Sequence, residues 1–301
     1  MIVAITGGTG FVGSHLIDAA IAEGHDIRAL TRRDQPARDQ VEWVRGDLDD
    51  RSAIGRLVSG ADAVIHVAGV INATTAADFE HGNVRGTLTM LSAATAAGAR
   101  RFVHVSSLAA REPDLSLYGN SKAKSEDLVK ESGLDWAIVR PPAVYGPGDR
   151  ETLELFKMAD LGLMLMPPQG RVSIIHVRDL AQLLLALTDD RAPKKLIFEP
   201  DDGQPAGRSH GDFMRAIGRA MGTAPKVVPL PGPLLRAAAR VDMLVRRDRA
   251  KLTPDRVAYF LHRDWVVDPS RRPPASLWQP AISADRGLAE TADWYRDQNW
   301  L

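Results

Sequence analysis

Residues 2–13 read Ile2-Val3-Ala4-Ile5-Thr6-Gly7-Gly8-Thr9-Gly10-Phe11-Val12-Gly13. An apolar run of strand length breaks on glycine and re-emerges as a helical pattern over Phe11–Glu23. In a strand–turn–helix of this kind Gly7 permits the tight turn. Gly10 lets a pyrophosphate approach the backbone, and Gly13 lets the helix pack close to the sheet. The first turn of the helix, at Phe11 and Val12, then offers unpaired N–H groups and a positive dipole end to an anion. A glycine motif alone is weak evidence, but here the context it requires is in place. The expected dinucleotide contacts are therefore Gly7, Gly10, Phe11 and Val12.

Working outward, short apolar runs alternate with helical patterns. Strands are expected at Ile2–Thr6, Asp26–Thr31, Val41–Gly46, Ala63–Val67, Arg101–Ser106 and Asp135–Arg140, with helices at Phe11–Glu23, Ser52–Ser59, Phe79–Ala97 and Ser121–Ser132. Gly24, Gly60, Gly98 and Gly133 stand where the helices should stop. This alternation predicts an α/β fold: a Rossmann, doubly wound parallel sheet covered on both faces. Beyond Arg140, prolines break the chain into loops. A strand-like run at Val172–Ile175, a helix at Arg178–Thr188, a flexible connection at Leu187–Gly211 and a helical tract after Ser209 follow. We expect a dinucleotide-binding domain over residues 1–165, to which about 170–200 returns, and a small, mainly helical C-terminal substrate lobe over 200–301.

Composition narrows the function. The 301 residues carry 38 Lys plus Arg and 38 Asp plus Glu, which gives no field to attract nucleic acid. The absence of cysteine excludes disulfides, thiol nucleophiles and Cys-ligated metals, and no metal site is expected. Neither a leader peptide nor an apolar run of membrane-spanning length is read, so the expectation is a soluble, cytoplasmic protein.

Three further segments bear on the dinucleotide. The second strand ends in Thr31-Arg32-Arg33, where a site for an unphosphorylated ribose usually places a carboxylate. Two guanidiniums can pair with a 2′-phosphate, so NADP(H) is favoured over NAD(H); the alternative is a pair of solvated loop arginines. Asp47 can accept from the adenine amino group or cap a helix. Ala68 and Gly69 end the fourth strand on the ligand-binding side of such sheets.

Tyr118-Gly119-Asn120-Ser121-Lys122 sets a phenol and an ammonium four residues apart, on one helical face. The ammonium stabilises a phenolate, so Tyr118 can exchange a proton with a substrate oxygen while Lys122 also holds the nicotinamide ribose. Ser106 or Ser107, at the end of the fifth strand, can orient that oxygen.

Together the chain resembles the extended short-chain dehydrogenase/reductases, the family of epimerases, dehydratases, dihydroflavonol reductases and 3β-hydroxysteroid dehydrogenases. The matching pieces run in family order over about residues 1–185: Thr6–Gly13, Gly46-Asp47-Leu48, His66–Gly69, Asn83–Thr87, Val105-Ser106-Ser107, Tyr118–Lys122, Arg140–Asp149 and His176–Ala181. The resemblance implies catalytic roles for Ser107 rather than Ser106, for Tyr118 and for Lys122, and cofactor contacts at Leu48 and from Pro141 to Val144. It also implies that the Asn83 helix packs near the site and that a homodimer forms through the Phe79–Ala97 and Ser121–Ser132 helices. The segment Leu108–Leu117 is shorter than in the sugar-nucleotide members. In this the chain is similar to atypical members related to a respiratory-complex accessory subunit, some of which bind cofactor without turnover.

The leading expectation is an NADP(H)-dependent oxidoreductase that moves a hydride between nicotinamide and a carbonyl or secondary alcohol of a small-molecule substrate. The alternatives are an NAD(P)-dependent epimerase or dehydratase, for which the loop offers only Glu112 and Asp114 as extra carboxylates, and a non-catalytic cofactor-binding sensor or assembly protein. His176 can face substrate, but the family pattern implies a structural hydrogen bond. Leu161–Met166 can line an apolar pocket or pack the core, and Trp265, Trp294, Tyr295 and Trp300 are expected to pack the C-terminal helix. Leu234–Lys251 is a basic amphipathic tract whose favoured reading is a packed helix with solvated arginines, and whose alternative is weak contact with a membrane surface.

Overall fold

The computed structural model describes residues 1–246 and 252–301. These form two compact units. The first comprises Met1–Pro141, Arg178–Pro200 and Arg271–Gln279, and the second Pro142–Val177, Asp201–Ser270 and Pro280–Leu301. The division differs from the expected one: residues 142–165 cluster with the second unit, and 271–279 return to the first.

The first unit is built on β1 (Ile2–Thr6), β2 (Asp26–Thr31), β3 (Val41–Arg45), β4 (Ala63–His66), β5 (Arg101–Val105) and β6 (Trp136–Val139), joined by a seventh strand at Leu196–Phe198. All pairings are parallel, and the strand order from one edge is Leu196–Phe198, β6, β5, β4, β1, β2, β3. The chain leaves β1 toward β3 and then crosses back to lay β4 on the other side of β1. Their carboxyl ends therefore flank the crevice where open α/β sheets take their ligands. β4, β5 and β6 are buried along their whole length, as continuous apolar runs between two helical layers should be.

The connections are α1 (Phe11–Ala22), α2 (Arg51–Val58), α3 (Ala76–Phe79), α4 (Gly86–Ala96) and α5 (Leu117–Glu131). Gly24, Gly60, Gly98 and Gly133 each adopt positive φ just past a helix, the left-handed stop that their spacing predicts. Between α3 and α4, residues Glu80–Arg85 wind as a π-helix, so the helix expected over Phe79–Ala97 is interrupted. One core cluster closes one face of the sheet, with Ala4, Val64, Phe102 and Ile138 packed against Ile54, Leu57, Met90 and Val129.

The second unit is mainly helical, with helices at Leu153–Asp160, His210–Met221, Gly232–Arg246, Pro254–Leu261 and Ala284–Asp297. Its core gathers Tyr145, Phe156, Ile174, Phe213, Ile217, Leu288 and Tyr295.

Four expectations need correction. The connection over Leu187–Gly211 contains a sheet strand, Leu196–Phe198, whose three residues are too few to show a period. The run Val172–Ile175 splits at Ser173, whose hydroxyl bonds the buried Asp201 at 3.0 Å, into two short strands in different ladders. Trp265 stacks on Tyr259, with ring centres 4.5 Å apart, whereas Trp294, Tyr295 and Trp300 do pack on one another around the C-terminal helix. In Leu161–Met166 only Met164 is buried; Leu161, Leu163 and Leu165 are exposed. Of the basic tract, Arg247, Arg249 and Lys251 lie outside the described residues.

The turn after β1 sets a testable limit. A Cβ at Gly13 would stand 2.0 Å from the Gly7 carbonyl oxygen, whereas one at Gly24 meets nothing within 4 Å and pays only for its φ of 75°. Gly13→Ala is expected to cost about 3 kcal/mol, and Gly24→Ala about 1–2 kcal/mol, in urea unfolding. Equal losses would contradict the close turn-to-helix packing.

Candidate active site

The glycine turn is a cradle in which side chains have no room. Gly7 adopts φ 74°, and a Cβ there would lie 2.8 Å from the Ala68 nitrogen. Gly10 donates to the Gly7 carbonyl at 2.9 Å and serves as N-cap of α1 without a side-chain cap. With no side chain competing for them, the N–H groups of the first turn at Phe11 and Val12 suit a pyrophosphate. Adding Cβ atoms would fill the space, so the residues present fit a dinucleotide.

A buried relay ties this turn to the end of β4. The Ala68 N–H donates to Thr6 Oγ1 at 3.2 Å, and that oxygen lies 2.7 Å from His66 Nδ1. On the other side of the ring, His66 Nε2 lies 3.1 Å from Thr87 Oγ1, whose proton goes to the Asn83 carbonyl at 2.7 Å. Since Thr87 spends its proton, the network fits an imidazole protonated on Nε2 that accepts from Thr6 on Nδ1. Burial, followed by the Lys122 charge, pushes the His66 pKa down to about 3. His104, its register partner on β5, stacks on it with ring centres 5.5 Å apart. Its Nε2 bonds Ser125, which in turn donates to the Lys122 carbonyl, and burial again holds it well below the usual imidazole range.

α5 brings Tyr118 and Lys122 together one turn apart. Ser116 caps the helix by accepting from the Gly119 N–H at 3.0 Å, which fixes where the first turn starts. Tyr118 is half-buried and packs at a tilt on Phe79, 6.1 Å between centres. Lys122 is buried, and its ammonium donates to the Val105 carbonyl at 2.8 Å, which leaves its other N–H groups for a ligand. Burial lowers its pKa to about 8, partly offset by Glu126. A Cβ on Gly69 would come within 3.7 Å of Lys122 Nζ and 2.9 Å of Asn83 Oδ1. Lys122 thus stands next to the strand end at Gly69, where Asn83 leaves no room for a side chain.

Asn83 sits on the π-helix and spends its whole amide here. It accepts from the Val70 N–H at 2.7 Å, donates to the Val70 carbonyl at 2.9 Å, and donates to Ser121 Oγ at 2.9 Å. Ser121 passes its proton to the Tyr118 carbonyl at 2.8 Å. The β4 loop and the first turn of α5 are therefore pinned by one side chain, which a regular helix would point elsewhere.

Of the two serines, Ser106 is committed. Its hydroxyl donates to buried Glu126 at 2.6 Å, and Arg140 grips the same carboxylate through Nε and an Nη at 2.8 and 2.6 Å. Arg140 also bonds buried Glu199 at 3.3 Å, which Arg111 meets at 3.4 Å. Ser107 is half-buried and accepts the Ala109 N–H at 3.2 Å, which leaves its proton to donate.

The other expected contacts are placed as follows. Thr31 is buried and bonds the Arg33 carbonyl at 2.6 Å, so that Arg32 and Arg33 emerge exposed; among the described residues neither forms an ion pair, while Asp34 pairs with Arg45. Asp47 accepts the N–H groups of Asp49 and Asp50 through one carboxylate oxygen, a turn that precedes the Asp50 cap of α2. Leu48 packs on α4, where a Cβ at Gly86 would strike it at 2.6 Å. Pro141 is buried and its carbonyl accepts from Leu108 at 3.0 Å. Val144 belongs to the second unit, on a short strand paired with Ile174–His176, and buried His176 stands edge-on to Tyr145 there.

Sequence reasoning did not single out the His66–His104 pair or the Glu126–Arg140–Glu199–Arg111 network. Signals for both existed. His66 and His104 each stand among apolar residues near the end of a strand, and Tyr118, Lys122 and Glu126 recur at four-residue steps along one helical face.

Comparisons with known proteins show the family and the fold. The chain matches the model of the NAD dependent epimerase/dehydratase family over residues 3–198. It is 41% identical over 309 aligned residues to a ceramide reductase of Caulobacter vibrioides, covering 100% of this chain and 96% of that one. Among solved structures, MoeE5 in complex with UDP-glucose and NAD superposes with a TM-score of 0.76 at 21% identity, covering 99% of each chain. A human epimerase family protein with NADPH gives 0.76 at 21% identity, covering 97% of this chain and 99% of that one. At such identity the structures speak to the fold alone.

The two neutral imidazoles make acid stability a test of the site. In the folded chain His66 takes up a proton only near pH 3, but once unfolded near 6.5. Its contribution is therefore complete above about pH 6.5 and is lost as pH falls toward 3. At pH 5, His66 alone should remove on the order of 2 kcal/mol relative to pH 7, and His104 adds to the loss. Urea midpoints at pH 7 and 5 measure the drop, which should shrink in His66→Gln/His104→Gln. An undiminished drop in that variant would contradict the assignment.

Proposed function

The chain belongs to the NAD dependent epimerase/dehydratase family, and from that premise we propose that it is an NADP(H)-dependent reductase acting on a carbonyl of a ceramide-type lipid. The substrate class rests on the whole-length likeness to a ceramide reductase. The reaction class rests above all on one observation: Tyr118 and a buried, low-pKa Lys122 stand one helical turn apart beside the strand end at Gly69.

The dinucleotide, when bound, supplies a hydride to the carbonyl carbon. The chain's own residues manage the oxygen. Ser107 donates a hydrogen bond to it, which orients the carbonyl and stabilises negative charge as it develops. Tyr118 gives its phenolic proton to that oxygen, and the alcohol forms. The phenolate left behind is stabilised by the Lys122 ammonium, whose remaining N–H groups would hold the nicotinamide ribose. Ser106 takes no part, since Glu126 holds its hydroxyl.

Arg32 and Arg33 support the choice of NADP(H). They are exposed at the end of β2 without a carboxylate partner, and the acid that follows them, Asp34, is paired with Arg45. A 2′-phosphate there gains charge-assisted hydrogen bonds, whereas a bare ribose gains little.

Two variants test the reading. Tyr118→Phe should lower kcat for ketone reduction by about 10²–10⁴ while the Kd for NADPH stays unchanged. Arg32→Ala/Arg33→Ala should weaken NADPH about tenfold or more and leave NADH alone, as read by calorimetric titration. Tighter binding of NADH than NADPH by the unmodified protein would overturn the cofactor choice, and full turnover in Tyr118→Phe would overturn the mechanism.

A further inference from the structure

The helix Gly232–Arg246 turns its apolar face away from its own protein. Of its fifteen residues only Ala239 is buried. Leu234, Ala238, Val241 and Val245 recur at helical spacing on one stripe, and Leu244 lies beside it. Leu234 is 57% exposed, Val241 59%, Val245 75% and Leu244 79%. A surface helix of a globular domain normally puts such a stripe toward the core. Here the stripe lies on the side opposite Ala239. An exposed apolar patch of this continuity marks a surface that something covers.

The charges around the stripe identify what covers it. Arg240 borders the apolar face beside Leu244, Arg236 lies one turn before it on the same row further round the helix, and both are exposed. The single carboxylate of the helix, Asp242, is already engaged by Arg246 at 3.3 Å and by the Leu252 N–H at 2.8 Å. A second copy of this helix across a two-fold axis would set Arg240 at the edge of the contact with no free acid on the helix to answer it. An anionic bilayer surface supplies what is missing: apolar depth for the stripe and phosphate for the guanidiniums, with the arginine stems lying along the boundary. Among the described residues no helix is long and apolar enough to cross a membrane, so the element can only lie on one.

We propose that Gly232–Arg246 is a docking helix by which this protein lies on the surface of anionic membranes, with Leu234, Val241, Leu244 and Val245 inserted and Arg236 and Arg240 at the headgroups. The inference goes beyond the reductase reading and does not rest on it, because binding to a bilayer can be measured without substrate or cofactor.

Flotation of the full chain with vesicles decides it. Binding should be strong to vesicles containing phosphatidylglycerol and weak to pure phosphatidylcholine. Arg236→Ala/Arg240→Ala should lose about fivefold per arginine on the anionic vesicles. Val241→Asp/Leu244→Asp/Val245→Asp should lose at least about tenfold. All these side chains are exposed, so NADPH affinity and circular dichroism should be unchanged and would expose a misfolded variant. Equal flotation of the unmodified and triple-Asp chains would overturn the proposal, as would failure of the unmodified chain to bind either vesicle. A dimer that sediments as such and is dissociated by the triple substitution would assign the face to a second copy, and would overturn it too.

Discussion

The ammonium of Lys122, buried against the Val105 carbonyl at the end of β5, is the constraint around which the first unit is arranged. A cation held there needs neutral neighbours and an opposite charge close by. The neighbours are His66 and His104, kept uncharged by burial and by the lysine itself. The opposite charge is Glu126, one turn further along α5, which is in turn shared with Arg140 and Ser106. Burial lowers the lysine's pKa to about 8, so near neutral pH the group is still mostly a cation, one helical turn from Tyr118.

The second constraint is steric. The turn after β1, the strand end at Gly69 and the start of α1 approach so closely that Gly7, Gly13 and Gly69 could not carry a side chain without moving a neighbour. Parallel register then places Thr6 beside His66 and His66 beside His104, so the loops after three neighbouring strands open on one side of the sheet. Asn83 links two of the pieces, and the π-turn is what aims it: it fastens the backbone after Gly69 to the Ser121 hydroxyl, which fastens the first turn of α5. Positioning of Tyr118 and Lys122 therefore comes from backbone geometry and neutral hydrogen bonds.

Much of this was legible in the chain itself. The first strand and its glycine turn announced the Rossmann order, and the four-residue step from Tyr118 to Lys122 announced the helix face. The helix stops at Gly24, Gly60, Gly98 and Gly133 lie where the spacing puts them. What was hidden had physical causes. The strand Leu196–Phe198 is three residues long and gains its identity only from pairing with β6. The π-turn at Glu80–Arg85 lies between a helix of four residues and one whose apolar residues are spread around its axis, so no periodicity reveals it. The Glu126–Arg140–Glu199–Arg111 network joins residues up to 88 apart in sequence, which composition cannot pair. The outward stripe on Gly232–Arg246 reads in sequence as an ordinary amphipathic helix, because a pattern gives the existence of an apolar face and not its direction.

In the proposed reaction Ser107, Tyr118 and Lys122 each handle the oxygen of a carbonyl while hydride arrives at its carbon. The measurement that reaches this claim most directly is deuteride transfer. The protein is incubated with NADPH carrying deuterium at C4 of the nicotinamide and with a keto lipid of the ceramide type, and the product is read by mass spectrometry. The account predicts one deuterium on the carbinol carbon of the product and stoichiometric release of oxidised cofactor. An unlabelled product, or substrate epimerised without net cofactor oxidation, would contradict it.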